Sequence, residues 1–248
     1  MAFVYPGGLL LLPGADLPKI RNILKQPGKY LLLIVVLVQC TDSEQLRLNG
    51  SDFFPLAGGL YWIYNIQETS YSPLQPPASD TFQLKLQVVD SFKNSESSYT
   101  YVLHRFIRQD ETFPWQFSDT WSARVTDQYA IVNEENVPVI HLAFPVHINR
   151  KWDANLFNSL PADEFTITTI TDDSAYPFPV DWVAEVEQEN VNNNLTYRDV
   201  RTTRYGKNIG LLSALSEVWT YTCSGGTCTG EINSGYRRIQ YLQEYGKM

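Results

Sequence analysis

From residue 53 onward, apolar and polar positions alternate in short runs bounded by Gly, Pro, Asn and Asp. In F53-F54-P55-L56-A57-G58-G59-L60-Y61-W62-I63-Y64, proline and paired glycine end one element and an alternating run begins. Leu60, Trp62, Tyr64 and Ile66 then fall on one face of a strand, with Tyr61, Asn65 and Gln67 opposite. Tyr71–Asp80, with three prolines, predicts a loop. Phe82, Leu84, Leu86 and Val88 alternate with Gln83, Lys85 and Gln87, the cleanest amphipathic strand in the chain. Tyr99–Arg108 is a strand with bulky residues on both faces, and Phe113–Trp121 places Trp115 and Trp121 around a polar turn. Trp121–Thr126 and Gln128–Asn133 are short strands, and the turn at residues 133–136 leads into Val137–Phe144 as a hairpin. Lys151–Asn158 is irregular, and Phe165–Thr171 is a Thr-rich strand ended by Asp172-Asp173. Trp182–Glu189 returns through an Asn-rich turn as Leu195–Thr203. Ile209–Leu215 has strand or short-helix character. Val218–Cys223 and Cys228–Ile232 flank a four-residue loop, and Tyr236–Tyr245 closes the chain. The pattern predicts an all-β fold of about ten strands with little helix. It forms a single antiparallel domain over residues 53–248, either a curved half-barrel or a two-sheet sandwich.

The N-terminal residues follow another pattern. Lys29 precedes nine apolar residues, Tyr30 to Val38, and Cys40 closes the run. A transmembrane helix needs about 20 apolar residues. This run has about half that length and follows Lys19, Arg21, Lys25 and Lys29, as a signal-peptide h-region follows its basic n-region. A buried core helix or strand is the alternative, and the charged and polar flanks argue against it. The chain is expected to divide into an N-terminal extension and signal peptide (1–40), a tether (41–52) and the β domain (53–248). Met1–Pro18 carry a second apolar patch, Gly8-Leu9-Leu10-Leu11-Leu12-Pro13, ahead of the n-region. Translation is therefore expected to start later than Met1.

Composition narrows the classes. Hydrophobic residues make up 44% of the 248 and charged residues 19%, which supports a packed core rather than disorder. The net charge is −8; past residue 40 it is −11, from 15 basic and 26 acidic residues. An acidic domain repels phosphate backbones, so no nucleic-acid partner is expected.

Candidate chemistry is sparse. Cys223 and Cys228 would stand opposite each other across their loop, close enough for a disulfide in an oxidising compartment, with free thiols as the alternative. His104, His141 and His147 show no H-E-x-x-H spacing, so no metal is expected. Glu134-Glu135 and Asp172-Asp173 are paired acids that a glycosidase could use only across a cleft. No G-x-S-x-G and no phosphate-binding glycine loop occurs, so neither a catalytic residue nor a cofactor is assigned. Trp62, Tyr64, Trp115, Trp121 and Trp152, with Trp182, could line a concave sheet that binds a ligand, or could fill a β core.

Two resemblances add to this. L37-V38-Q39-C40 resembles the lipobox of bacterial lipoproteins, with Leu37 at the usual −3 leucine and Cys40 at the acylated cysteine. Gln39 departs from the small residue usual before the cysteine. Thr41-Asp42-Ser43-Glu44 resembles the acidic surface-export signal of Bacteroidota lipoproteins. F-P-L-x-x-G-x-x-W-x-Y (Phe54 to Tyr64) and Y-V-L-x-R-x-x-R (Tyr101 to Arg108) are similar to uncharacterised Bacteroidota lipoproteins. H141-L142-A143-F144-P145-V146, W152-D153-A154-N155 and Y205-G206-K207-N208-I209-G210-L211 share that similarity. The resemblance implies lipidation at Cys40 and a place in the bacterial envelope, at the outer membrane, facing the periplasm or the cell surface. It supplies no activity and no catalytic residues. The expected role is a non-enzymatic binding module for a lipid, glycan or protein partner, joined to the membrane through its N-terminal lipid. The alternatives are a carboxylate-dependent hydrolase and a structural subunit of an outer-membrane assembly.

Overall fold

The structure is a computed structural model that describes residues 50–94, 99–172 and 176–248. Cys40, the signal segment 1–40, tether residues 41–49 and Asp173 lie outside the described residues. Among the described residues the twelve strands are β1 (Leu60–Tyr71), β2 (Ala78–Lys93), β3 (Tyr99–Arg108), β4 (Gln116–Val125), β5 (Tyr129–Glu134), β6 (Val137–Ala143), β7 (Lys151–Asp153), β8 (Glu164–Thr171), β9 (Val183–Val191), β10 (Tyr197–Gly206), β11 (Gly210–Ser224) and β12 (Thr227–Lys247). All twelve form one antiparallel sheet in the order β6-β5-β4-β3-β2-β1-β12-β11-β10-β9-β8-β7. The chain winds outward from β1 to β6, crosses over, and winds back from β7 to β12, which pairs with β1. The two edge strands are therefore consecutive in sequence and meet at a seam. Ile140 N–H donates to the Ala154 carbonyl at 2.9 Å, and the Trp152 indole N–H donates to the Ile140 carbonyl at 3.0 Å. The result is one nearly closed barrel, which covers the edges an open sheet would expose. The sandwich alternative needs two sheets, and the described residues form one.

Several elements differ from the periodicity reading. β11 and β12 are each one long strand where the sequence shows two short ones. The pairing of β11 with β12 shifts register between Thr220 and Tyr221 and again between Tyr221 and Cys223, so the inside–outside alternation breaks while the strands continue. Ile209–Leu215 lies mostly in β11 and is not helical. β4 runs through the polar turn expected between Trp115 and Trp121, and β7 lies inside the segment read as irregular. Gly225 and Gly226, both at positive φ, make a two-residue turn, since Ser224 and Thr227 are already paired. Cys223 and Cys228 stand directly opposite each other and form a disulfide.

The core has two parts. One lies under the seam, where Ile140, Leu142, Trp152, Phe165, Ile167 and Val186 pack together. The other follows β1 to β3 and the β10–β11 turn, with Trp62, Tyr64, Ile66, Leu84, Leu103 and Leu212. A short 3-10 turn, Ser51–Phe53, joins the domain before the expected end of the tether. Phe53 is fully buried, and the Asp52 carbonyl accepts a hydrogen bond from Asn208 N–H at 2.6 Å. Leu46–Met248 forms a compact unit that contains every described strand and both parts of the core.

Glu217 ties three strands together. Its Oε2 accepts from Arg198 on β10 at 2.6 Å and its Oε1 from Arg237 on β12 at 2.9 Å. Burial alone would raise this carboxyl, but the hydrogen bonds and charges of Arg237 and Arg198 outweigh it and hold the group below the usual carboxylate range. A carboxyl whose folded pKa lies below its unfolded value of about 4.3 stabilises the fold fully above that value. The contribution is lost as the pH falls through the folded pKa. Glu217→Gln is expected to lower the Tm at pH 7, by a gap that narrows as the pH falls below about 4.3; a gap that does not change with pH would assign its effect to packing instead.

Candidate functional site

Strand parity decides which side chains face inward. Trp62 pairs with Leu86 across β1 and β2, and Leu86 pairs with Arg105 across β2 and β3. Leu103 pairs with Trp121 across β3 and β4, so Leu103, Arg105 and Trp121 share the inner face with Trp62, Tyr64, Leu84 and Leu86. These residues border an interior cavity of about 410 Å³. That size lies within the range of roughly 300–1,000 Å³ typical of small-molecule sites. A second depression of about 500 Å³, beside Gln83, Gln109 and Tyr241, is an open polar groove on the outer face and lacks the apolar walls of the cavity.

The cavity walls are held by side-chain to backbone bonds across the barrel. The Trp62 indole N–H donates to the Ile209 carbonyl at 2.6 Å, and the Tyr64 hydroxyl donates to the Leu211 carbonyl at 3.1 Å. These bonds pin the β10–β11 turn against β1. Gly210, at φ +100, lets that turn pass beside the indole, since a Cβ there would sit 3.4 Å from the Trp62 indole nitrogen. Phe54, Pro55 and Leu56, just after the 3-10 turn, close the wall.

Charged groups converge on this apolar space. Glu134 Oε1 lies 3.0 Å from His141 Nε2, and His141 Nδ1 lies 3.2 Å from the Tyr205 hydroxyl. Burial would raise the Glu134 carboxyl, but the His141 hydrogen bond and the charges of His141, Arg105 and Arg238 together hold it below the usual range. Burial pushes the Tyr205 and Tyr64 hydroxyls well above their ordinary values. The guanidinium of Arg105 lies over the Trp121 ring, 4.0 Å from its centroid. Its Nε is buried and has no hydrogen-bond acceptor. Burial, with Arg238 adding to it, lowers the Arg105 pKa, while Glu134, Asp119 and Glu135 oppose the shift. Leaving a buried donor unsatisfied costs about 1–3 kcal/mol, and more for a charged group.

Of the aromatics singled out in the sequence, Trp62, Tyr64 and Trp121 border the cavity. Trp115 and Trp152 do not. Trp115 lies beside Lys85 and Arg108, with their cations 5.2 and 4.2 Å from its ring. Trp152 is buried under the seam against Phe165, and Trp182 packs at the edge of that same cluster. His104 contacts Phe106 and Phe117, and the Nδ1 of half-buried His147 lies 3.0 Å from the Ile148 carbonyl oxygen. Among the described residues no three of His, Cys, Asp and Glu gather as a metal-ligand set. Asp172 is exposed, whereas Glu134 and Glu135 both reach the cavity. Arg105, Glu134, His141 and Tyr205 were not recognised as a group from the sequence. They come from β3, β5, β6 and β10, and only the strand pairing brings them together.

Of the β-domain pieces that carry the resemblance, all but W152-D153-A154-N155 meet here as well. Phe54, Tyr64, Arg105, His141, Tyr205 and Leu211 all border the cavity, although they span most of the domain. No protein-family model and no curated protein matches the chain. Two solved structures are similar to it. One is a candidate exported protein with a YmcC-like fold from Bacteroides fragilis, at TM-score 0.45 and 14% identity, covering 79% of this chain and 99% of its own. The other is a candidate lipoprotein from Parabacteroides distasonis, at TM-score 0.38 and 9% identity, covering 78% of this chain and 98% of its own.

Proposed function

We propose that this protein is an envelope-anchored binding module, held by a lipid on Cys40, that takes a small amphipathic molecule into the barrel. The observation that carries the reading is the interior cavity itself. Indole, phenol and leucine side chains wall it, and a few charged groups converge on one part of it. Acylation at Cys40 would supply membrane attachment without a spanning segment.

A hydrolase fits this geometry less well. Glu134, His141 and Tyr205 have the connectivity of a carboxylate–imidazole–hydroxyl relay. Nucleophilic catalysis needs a hydroxyl whose pKa is depressed or whose proton is readily taken, and burial moves Tyr205 the other way. A glycosidase needs one carboxyl kept protonated at working pH, and Glu134 is held ionised.

Residues 46–248, expressed into a periplasm, are expected to carry a reproducible small amphiphile in native mass spectrometry, recoverable by solvent extraction. The same domain should enhance the fluorescence of N-phenyl-1-naphthylamine, and Ala214→Trp, which places an indole in the cavity, should abolish that signal. A bare mass together with a silent dye would defeat the binding reading. The anchoring claim is tested in the full chain, where Cys40→Ala should move the protein from the membrane to the soluble fraction.

A further inference from the structure

We infer that the ligand of this cavity carries an oxyanion, a carboxylate or a phosphate-type group, and that Arg105 receives it. The inference rests on the binding reading above and names the ligand's polar end. Arg105 projects from β3 into a face where leucine and tryptophan predominate, with Asp119 opposite it on β4. Among the described residues its side chain forms no ion pair and no hydrogen bond, and its guanidinium lies over the face of Trp121. The ring holds the guanidinium plane in place and leaves the N–H fork to be satisfied by something else. A carboxylate or phosphate accepts two parallel N–H bonds from such a fork.

The neighbouring carboxylates do not supply that acceptor, because each is engaged elsewhere or solvated. Glu134 is 3.0 Å from His141, Asp119 accepts the Trp121 indole N–H at 2.9 Å, and Glu68 is 3.4 Å from Arg238. Glu135 stands exposed on the β5–β6 turn. Arg238 also borders the cavity and acts electrostatically on both Arg105 and Glu134, so a second cation faces an incoming anion. The apolar walls beyond Arg105 select an anion that bears a hydrocarbon portion.

The test is displacement of N-phenyl-1-naphthylamine from residues 46–248 by dodecanoate, dodecyl phosphate, 1-dodecanol and inorganic phosphate. The two amphiphilic anions are expected to displace the dye at concentrations about tenfold or more below that of dodecanol, the scale of a charge-assisted hydrogen bond. Inorganic phosphate alone should displace nothing. In Arg105→Gln the concentrations at which the anions and dodecanol displace the dye should become equal. Equal displacement by dodecanol and the anions in the parent protein overturns the inference and leaves the cavity reading standing. Failure of the dye and of every amphiphile to bind removes both. Displacement by inorganic phosphate keeps the oxyanion site and assigns it to a free anion. Should Arg105→Gln not fold, the comparison of head groups on the parent protein still decides the question.

Discussion

Trp62→Ala is expected to lower the unfolding free energy by about 3–5 kcal/mol, the range for removing a buried tryptophan. The indole is 7% exposed and belongs to the core cluster that follows β1 to β3. Its loss also strips the Ile209 carbonyl of its donor, so a buried acceptor is left unpaired. The β10–β11 turn is shaped around this ring, with Gly210 passing beside it and Tyr64 bonding to Leu211 next door. Trp62→Phe separates the two contributions, since it keeps most of the apolar contact and removes only the donor. It should cost about 1–3 kcal/mol. Urea unfolding with matched m-values measures both variants. A loss below about 1 kcal/mol for Trp62→Ala would mean that water in the adjoining cavity replaces the indole, and that this ring does not hold the turn.

Much of the fold could be read from the sequence because its first strands alternate cleanly. The apolar face of Leu60, Trp62, Tyr64 and Ile66 and that of Phe82, Leu84, Leu86 and Val88 identify β1 and β2 and the side they bury. The later strands were harder for a physical reason. A bulge shifts the parity by one residue, so β11 and β12 look like shorter pieces although their hydrogen bonding continues. β7 has three residues, too few for a period to show. The pairing of β1 with β12 joins the two halves of the sheet between segments about 180 residues apart, and no local pattern encodes it.

The candidate site was only partly legible. Aromatic content directed attention to Trp62, Tyr64 and Trp121, but it could not separate them from Trp115, which lies outside any strand, or from Trp152, which seals the seam. Arg105 did leave a signal. It shares parity with Leu103, so a guanidinium sits on the inner face of a strand. With bulky residues at nearly every position of Tyr99–Arg108, that parity became visible only once Leu103 was paired with Trp121 and Arg105 with Leu86. Glu134 and His141 lie seven residues apart across a hairpin, while Tyr205 arrives from 64 residues beyond His141. A cluster assembled that way depends on register, which the sequence does not state.

Gly235→Ala is the second large effect, and Gly230→Ala is its internal control. Both glycines lie in β12 with positive φ, +137 at Gly235 and +79 at Gly230, so an L side chain strains either position. Only Gly235 is also crowded. A Cβ there would meet the Val218 carbonyl oxygen at 2.2 Å and the Trp219 Cα at 2.4 Å, while at Gly230 nothing lies within 4 Å. The crowding atoms are mainly backbone of β11, held in the ladder, so they cannot turn aside as a flexible side chain would. Gly230→Ala should therefore cost about 1–2 kcal/mol, the conformational part alone. Gly235→Ala adds an overpacking cost of about 1–3 kcal/mol, for a total of about 2–5 kcal/mol. Gly235 pairs with Trp219 on one side and Tyr71 on the other, so the damage falls where β12 joins the two halves of the barrel. Hydrogen exchange should show protection lost along β1, β11 and β12 together, whereas Gly230→Ala loosens only the hairpin tip beyond it. Equal destabilisation by the two substitutions would mean that β11 shifts to make room, and that this crossing is not a rigid part of the fold.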